Sequence, residues 1–175
     1  GSSIHKNLIG KFKNEVKRQG ALPFVRHHNI KYGGQFPIWV AVELFTFGML
    51  GSLFDLMREN DQRAVSREYN LSPESLSRLI ASAVDVRNIC AHYNRLYNQV
   101  LDDQPLLPNR LRLYESDRLF PLLLAFAHIL GRERVLNRLI TGLSLLEADF
   151  PEADLSLCGF PEDWRSILEA EAAQA

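Results

Sequence analysis

Apolar residues in this chain recur at steps of three and four, and nowhere do they alternate with polar ones over the length of a strand. Such a period places side chains along one face of a helix, whereas a half-buried strand needs a period of two. The first segment repeats Ile4, Leu8, Phe12 and Val16 among Lys and Arg, and Gly20 ends it. Between Ala21 and Phe36, Pro23, His27-His28-Asn29 and Gly33-Gly34 predict a loop. Pro37 then opens a long apolar helix expected to reach Met57, at a position where its missing N–H costs nothing. A short polar helix is expected near Asp61–Tyr69.

Ser72-Pro73-Glu74 is a strong start signal, with a capping hydroxyl, a proline in the first turn and an acid against the helix dipole. The helix it opens is predicted to run through Leu76, Leu79, Ala83 and Val86 towards Tyr97. After a loop around Asp102–Pro105 and Pro108-Asn109, Ser116-Asp117 caps a helix to Leu130. Pro121 marks either its true first turn or a kink. Gly131 separates that helix from one over Glu133–Leu146, and Phe160–Asp163 starts a last helix that frays into Ala-rich sequence. The expected fold is an all-α bundle with additional C-terminal helices. The chain divides into Gly1-Ser2-Ser3 as an expression scar, a basic helix and loop over 4–34, a helical core over 35–150, and an acidic tail over 151–175. On that reading the native protein can begin further upstream.

A hydrophobic fraction of 46% in 175 residues can fill a sizeable core, and 23% charged residues suit a soluble globular protein. The net charge of −1 excludes a global polycation, but the distribution is uneven, with +6 over residues 1–34 and −7 over 147–175. The basic arm reads either as a solvated face or as a lure for phosphates. Cys90 and Cys158 form no disulfide framework and no metal-ligand spacing. Cys90 is expected to be a small buried hydrophobe, in keeping with a reducing cytoplasmic setting. No cofactor motif is present. Glu43 and Asp55 within Ile38–Met57 make a membrane span costly, so that stretch is expected in a core and no membrane partner is expected.

The densest polar cluster is Arg87-Asn88-Ile89-Cys90-Ala91-His92-Tyr93-Asn94-Arg95-Leu96-Tyr97-Asn98. Asn88 and His92 share a helix face and Arg95 follows three residues on, whereas Arg87 lies about 140° from His92 around an ideal helix. The two converge only if the arginine curls round or the helix ends or bends there. The set suits phosphate esters: Arg clamps phosphoryl oxygens, His moves a proton near neutral pH, and Asn positions a hydroxyl. The same residues also suit a buried polar network or a helix terminus.

The string Arg87-Asn88-Ile89-Cys90-Ala91-His92, followed by Arg95-Leu96-Tyr97-Asn98, resembles the hallmark of the Abi-like proteins of phage abortive infection. Pro37-Ile38-Trp39-Val40-Ala41-Val42-Glu43-Leu44-Phe45-Thr46-Phe47-Gly48 resembles that family's P-x-W-x3-E-x2-T-F-G segment, preceded by Phe24-Val25 and Tyr32-Gly33. The resemblance covers roughly Phe24 to Asn98. It implies membership of the HEPN superfamily of helical domains, many of which are metal-independent ribonucleases with an R-x4–6-H motif. On that resemblance Arg87, Asn88 and His92 are the site, RNA is the substrate, and a homodimer completes it with one motif from each protomer. An antitoxin or phage-derived trigger would be a further partner. Family members usually carry a longer helical region before the Pro-Ile-Trp segment than stands here.

Glu43, on an otherwise apolar face, is expected to be a buried carboxylate needing a partner, either to orient a motif residue or to bond another helix. His27-His28 reads as a solvated or RNA-contacting loop, and His128 as a satisfied core histidine. Trp39, Phe45, Phe47 and Phe54 are expected in the core or a dimer interface, and Tyr93 and Tyr97 to stack on a base or pack. Three functions compete: a ribonuclease, a non-catalytic RNA- or nucleotide-binding regulator, and a structural dimerisation module.

Overall fold

A computed structural model describes residues 3–130 and 134–174. Among them the chain is all-α, with no strand. Gly1-Ser2 of the proposed scar and the separating Gly131 lie outside the described residues. The chain forms two compact units, residues 1–62 and 63–175.

In the first unit α1 (Ser3–Arg18) packs against α4 (Phe47–Leu56) and against the 3-10 turn Val42–Leu44. Leu8, Val25, Ala41, Leu44, Met49 and Phe54 form its buried interior, and Phe12 meets Phe36 and Phe45 edge-on. Two expectations are corrected here. Residues Pro23–Lys31 are helical (α2), not a loop. Pro23 fits the first turn, Val25 gives the helix a buried anchor, and Gly33 and Gly34 end it with φ of 59° and 78°. His27 and His28 therefore stand on a helix, where His28 donates from Nδ1 to the Phe24 carbonyl at 2.8 Å and stacks on Phe36.

The single long helix expected from Pro37 to Met57 is instead α3 (Ile38–Ala41), the 3-10 turn, and α4. Phe45 and Thr46 are extended, and the Thr46 side chain accepts from the Met49 N–H as the N-cap of α4. A threonine ahead of an apolar run is a start signal, and it outcompetes continued helix once Phe45 turns inward. Trp39 lies 72% exposed and Phe47 is also exposed, so of the four aromatics Phe54 alone is buried in the described interior.

In the second unit α6 (Pro73–Ala91), α7 (Phe120–Leu130), α8 (Arg134–Asp149) and α9 (Trp164–Ala172) surround one core. The short α5 (Glu59–Arg67) leads into it. α7 is the central element: Phe120, Leu122, Leu124 and Ala127 are fully or nearly fully buried, and Phe120 packs through Phe160 to Trp164. Pro121 occupies the second position of α7, so it marks a first turn and not a kink, because the helix begins at Phe120 and not directly after Ser116-Asp117.

The acidic tail does not fray as expected. Ala172 is buried, and Glu171 is only 2% exposed between a guanidinium and an imidazole. Arg110, on the 3-10 turn Asn109–Tyr114, binds both carboxylate oxygens, and His128 of α7 donates from Nδ1 to Oε1 at 2.7 Å. His128 is thus a half-buried histidine with one nitrogen satisfied, while its Nε2 is buried without a hydrogen-bond partner. Burial pushes the Glu171 carboxyl up, but the hydrogen bonds from Arg110 and His128 outweigh it and hold the group below the usual glutamate range. Gly159, with φ 82°, ends the 3-10 turn Leu155–Cys158, and a Cβ there would meet Arg118 Cβ at 2.9 Å.

These contacts set the cost of changing Glu171, Arg110 and Gly159. Glu171→Ala is expected to lower urea stability by about 2–3 kcal/mol, since it removes charged hydrogen bonds from a buried site, with Arg110→Ala costing less because that guanidinium is half in solvent. A carboxyl with a lowered folded pKa stabilises above its unfolded value of about 4.3, and that stabilisation fades as pH drops towards the folded value. The gap between wild type and Glu171→Gln should accordingly shrink on acidification below the usual glutamate range; a constant gap would remove the ionic account. Gly159→Ala is expected to cost about 2 kcal/mol or more through left-handed strain and the Arg118 clash, read as a lower thermal midpoint.

Candidate functional site

The candidate site sits where α6 ends. Ser72 caps the helix by accepting from the Ser75 N–H at 3.0 Å, and Leu76, Leu79, Ser82 and Ala83 hold its first three turns in the core. Beyond Ala83 the helix emerges: Arg87 is exposed and Asn88 half-buried. Arg87 Nη1 donates to Asn88 Oδ1 at 2.9 Å, which fixes the amide with its oxygen towards the guanidinium.

The helix stops at Ala91, not near Tyr97 as its periodicity suggests. His92 is the C-cap residue, its N–H bonded to the Asn88 carbonyl at 3.0 Å. Tyr93 takes φ 55°, and two reversed bonds close the end: Tyr93 N–H to Cys90 O at 3.2 Å and Asn94 N–H to Ile89 O at 3.0 Å. This is a Schellman termination, usually built on glycine because a side chain disfavours the left-handed backbone. Here a tyrosine, 99% exposed, occupies that position. His92 and Arg95 are exposed on either side of it.

The segment after the helix is strapped down at several points. Tyr97 Oη donates to the Asp154 carbonyl and accepts from the Asp154 N–H at 3.0 Å. The Asn98 N–H meets Cys158 Sγ at 3.3 Å, and Arg118 Nη1 donates to both the carbonyl and the side-chain oxygen of Asn98. Asn98 is itself left-handed, with φ 55°. Tyr97 is thereby tied to Asp154 through its hydroxyl. Arg118 and Asp154 were not singled out in the sequence, and Cys158 only as part of no disulfide framework, because their partners lie 20 to 60 residues away. Asp154 alone offered a local cue, as the residue that caps the Leu155–Cys158 turn.

Two residue expectations change. Cys90 is exposed, since the end of α6 projects beyond the core that its helical spacing seemed to join. Glu43 is an exposed carboxylate on the 3-10 turn of the first unit, because the break at Phe45 and Thr46 ends the apolar face that would have buried it. Arg87, Asn88, His92 and Tyr93 stand on one helix end with Arg95 just beyond. Among the described residues no three His, Cys, Asp or Glu side chains stand together as a metal site, and no helix is long and apolar enough to cross a membrane.

Comparison with curated proteins and with solved structures gives no match. A family model described as Abi-like protein matches residues 1–98, which takes in both the Pro-Ile-Trp segment and the whole of the Arg87–Asn98 cluster. With more than half of its length matched, this chain belongs to the Abi-like protein family, which ties it to abortive infection as a form of phage defence.

Proposed function

We propose that the protein is a metal-independent endoribonuclease of the abortive-infection type, acting at Arg87, Asn88 and His92. The observation that carries this reading is the exposure of the guanidinium and the imidazole around one helix end, with Asn88 bonded to Arg87. A buried network would leave them no access to a phosphodiester; here both face solvent. The end of α6 at Ala91 also relaxes the angular problem, since His92 stands outside the regular helix.

The 2′-hydroxyl oxygen of RNA attacks the adjacent phosphorus, the P–O5′ bond breaks, and the products are a 2′,3′-cyclic phosphate and a 5′-hydroxyl. One proton leaves the 2′-hydroxyl and one reaches the departing 5′-oxygen. His92 serves one of these transfers, and the corresponding histidine of a second protomer serves the other in a homodimeric site. Arg87 stabilises the charge that builds on the phosphoryl oxygens, where a planar fork of N–H donors matches two of them. Asn88 orients the attacking hydroxyl. Arg95 holds a flanking phosphate, and Tyr93, held out in solvent, stacks on a neighbouring base.

The reading is checked by incubating RNA with the purified protein in EDTA. Cleavage should persist, end in cyclic phosphates by mass spectrometry, and fall about 10²–10⁴-fold in His92→Ala with the fold retained by circular dichroism. RNA retained without product would mean a binding regulator instead. An absolute need for a divalent metal would discard the mechanism. Tyr93 yields a second expectation. Tyr93→Gly removes left-handed strain and should raise stability by about 1 kcal/mol. It should also weaken RNA binding by about 1–3 kcal/mol if the ring stacks on a base. A variant both more stable and unchanged towards RNA would assign Tyr93 no role in the site.

A further inference from the structure

Within the unit formed by residues 1–62, α1 and α4 pack together but leave an open trough of about 410 Å3 beside them. Leu8, Ile9 and Phe12 of α1, Ile38 of α3, and Leu53 and Leu56 of α4 contribute to its walls, and no lining residue is an acid. Ile9 and Ile38 stay 39% and 55% exposed, so apolar surface stands in water at its mouth. A closed pocket buries most of a small ligand, which an open trough does not. A trough lined by about two turns of α1, from His5 to Phe12, suits a second helix that lays an apolar stripe into it.

Its rim sets the sign of the occupant. A shallower depression shares His5 and Ile9 with the trough and adds Lys6, Gly10 and Lys13, so the apolar floor runs directly into a cationic edge. Lys11 and Lys17 extend the positive charge along α1. The one acid of α1, Glu15, is already held by Arg18 at 2.9 Å and by Gln19 at 2.9 Å, which leaves the lysines uncompensated by their own helix. A flat membrane fits less well: the apolar face of α1 at Leu8 and Phe12 is turned inward against the unit's own core. From this combination we infer that the trough between α1 and α4 is a docking groove for an acidic amphipathic helix of another polypeptide. Apolar side chains at helical spacing fill the trough, and flanking carboxylates meet Lys6 and Lys13. The inference is independent of the ribonuclease reading, since none of these residues belongs to the α6 site.

The test uses the full chain and a fluorescein-labelled helical peptide of about five turns, with Leu at helical spacing and Glu elsewhere. A second peptide carries Lys for every Glu. Anisotropy should report saturable binding of the Glu peptide only, weakened about tenfold by Lys6→Glu/Lys13→Glu and by Ile9→Glu, and weakened by added salt. All three positions are exposed, so thermal melts of the variants should match wild type. No binding, or equal binding of the Lys peptide, overturns the proposal. So does stronger uptake by phosphatidylserine-containing vesicles, which would make the face a membrane contact. Self-association in sedimentation that the same substitutions abolish would overturn it in favour of a second copy of the chain.

Discussion

At the end of α6, two backbone hydrogen bonds from Tyr93 and Asn94 to Cys90 and Ile89 require a left-handed residue, and that residue is a tyrosine. The termination decides where every residue of the polar cluster goes. Had the helix continued to Tyr97, Arg87 and His92 would point about 140° apart on one rigid cylinder. Because it stops at Ala91, His92 becomes a cap residue, Tyr93 projects into water, and the chain reverses into a strap. A left-handed non-glycine residue costs on the order of 1 kcal/mol or more, and such strain persists only where the surroundings over-determine it. The surroundings here are visible: Tyr97 on Asp154, Asn98 on Cys158 and Arg118, and Leu101 N–H on the Asp117 carbonyl at 2.9 Å.

The helix end therefore depends on the C-terminal half of the chain. Asp154 and Cys158 belong to a 3-10 turn closed by Gly159, whose missing Cβ lets Arg118 and Ser116 approach. Arg118 can then reach Asn98. Further along, α9 is tied to α7 by Glu171 and His128 and to the 109–114 turn by Arg110. The family match ends at residue 98, yet the groups that hold residues 97 and 98 in position come after it. In this chain the less distinctive segments after the match, the bend at Arg118 and the 3-10 turn at 155–158, support the distinctive one.

The two units differ in what they offer. The second carries a polar helix end in the setting of a well-filled core. The first carries an apolar surface that its small interior does not cover, with Trp39, Ile38 and Ile30 all exposed. Such surface marks an interaction site, and the lysines of α1 stand beside it.

The helical class and most helix starts were legible in the sequence, because period, capping hydroxyls and first-turn prolines are local: Ser72-Pro73 and Pro161–Asp163 announced α6 and α9 from their own residues. The cluster from Arg87 to Asn98 was equally legible as a break in an apolar pattern. The helix ends were not. Tyr93 carries no local mark of a left-handed turn, and the Thr46 start was masked by the apolar residues around it. Burial of charge was not legible, neither at Glu43, which was expected to be buried, nor at Glu171, which drew no expectation, and for the same reason. Whether a carboxylate is solvated or enclosed depends on which distant side chains arrive beside it, and only the packed chain brings Arg110 and His128 to Glu171 across 61 and 43 residues. Residue order determined which segments coil and which side chains carry chemistry; packing alone decided where the coils stop and which of those side chains face water.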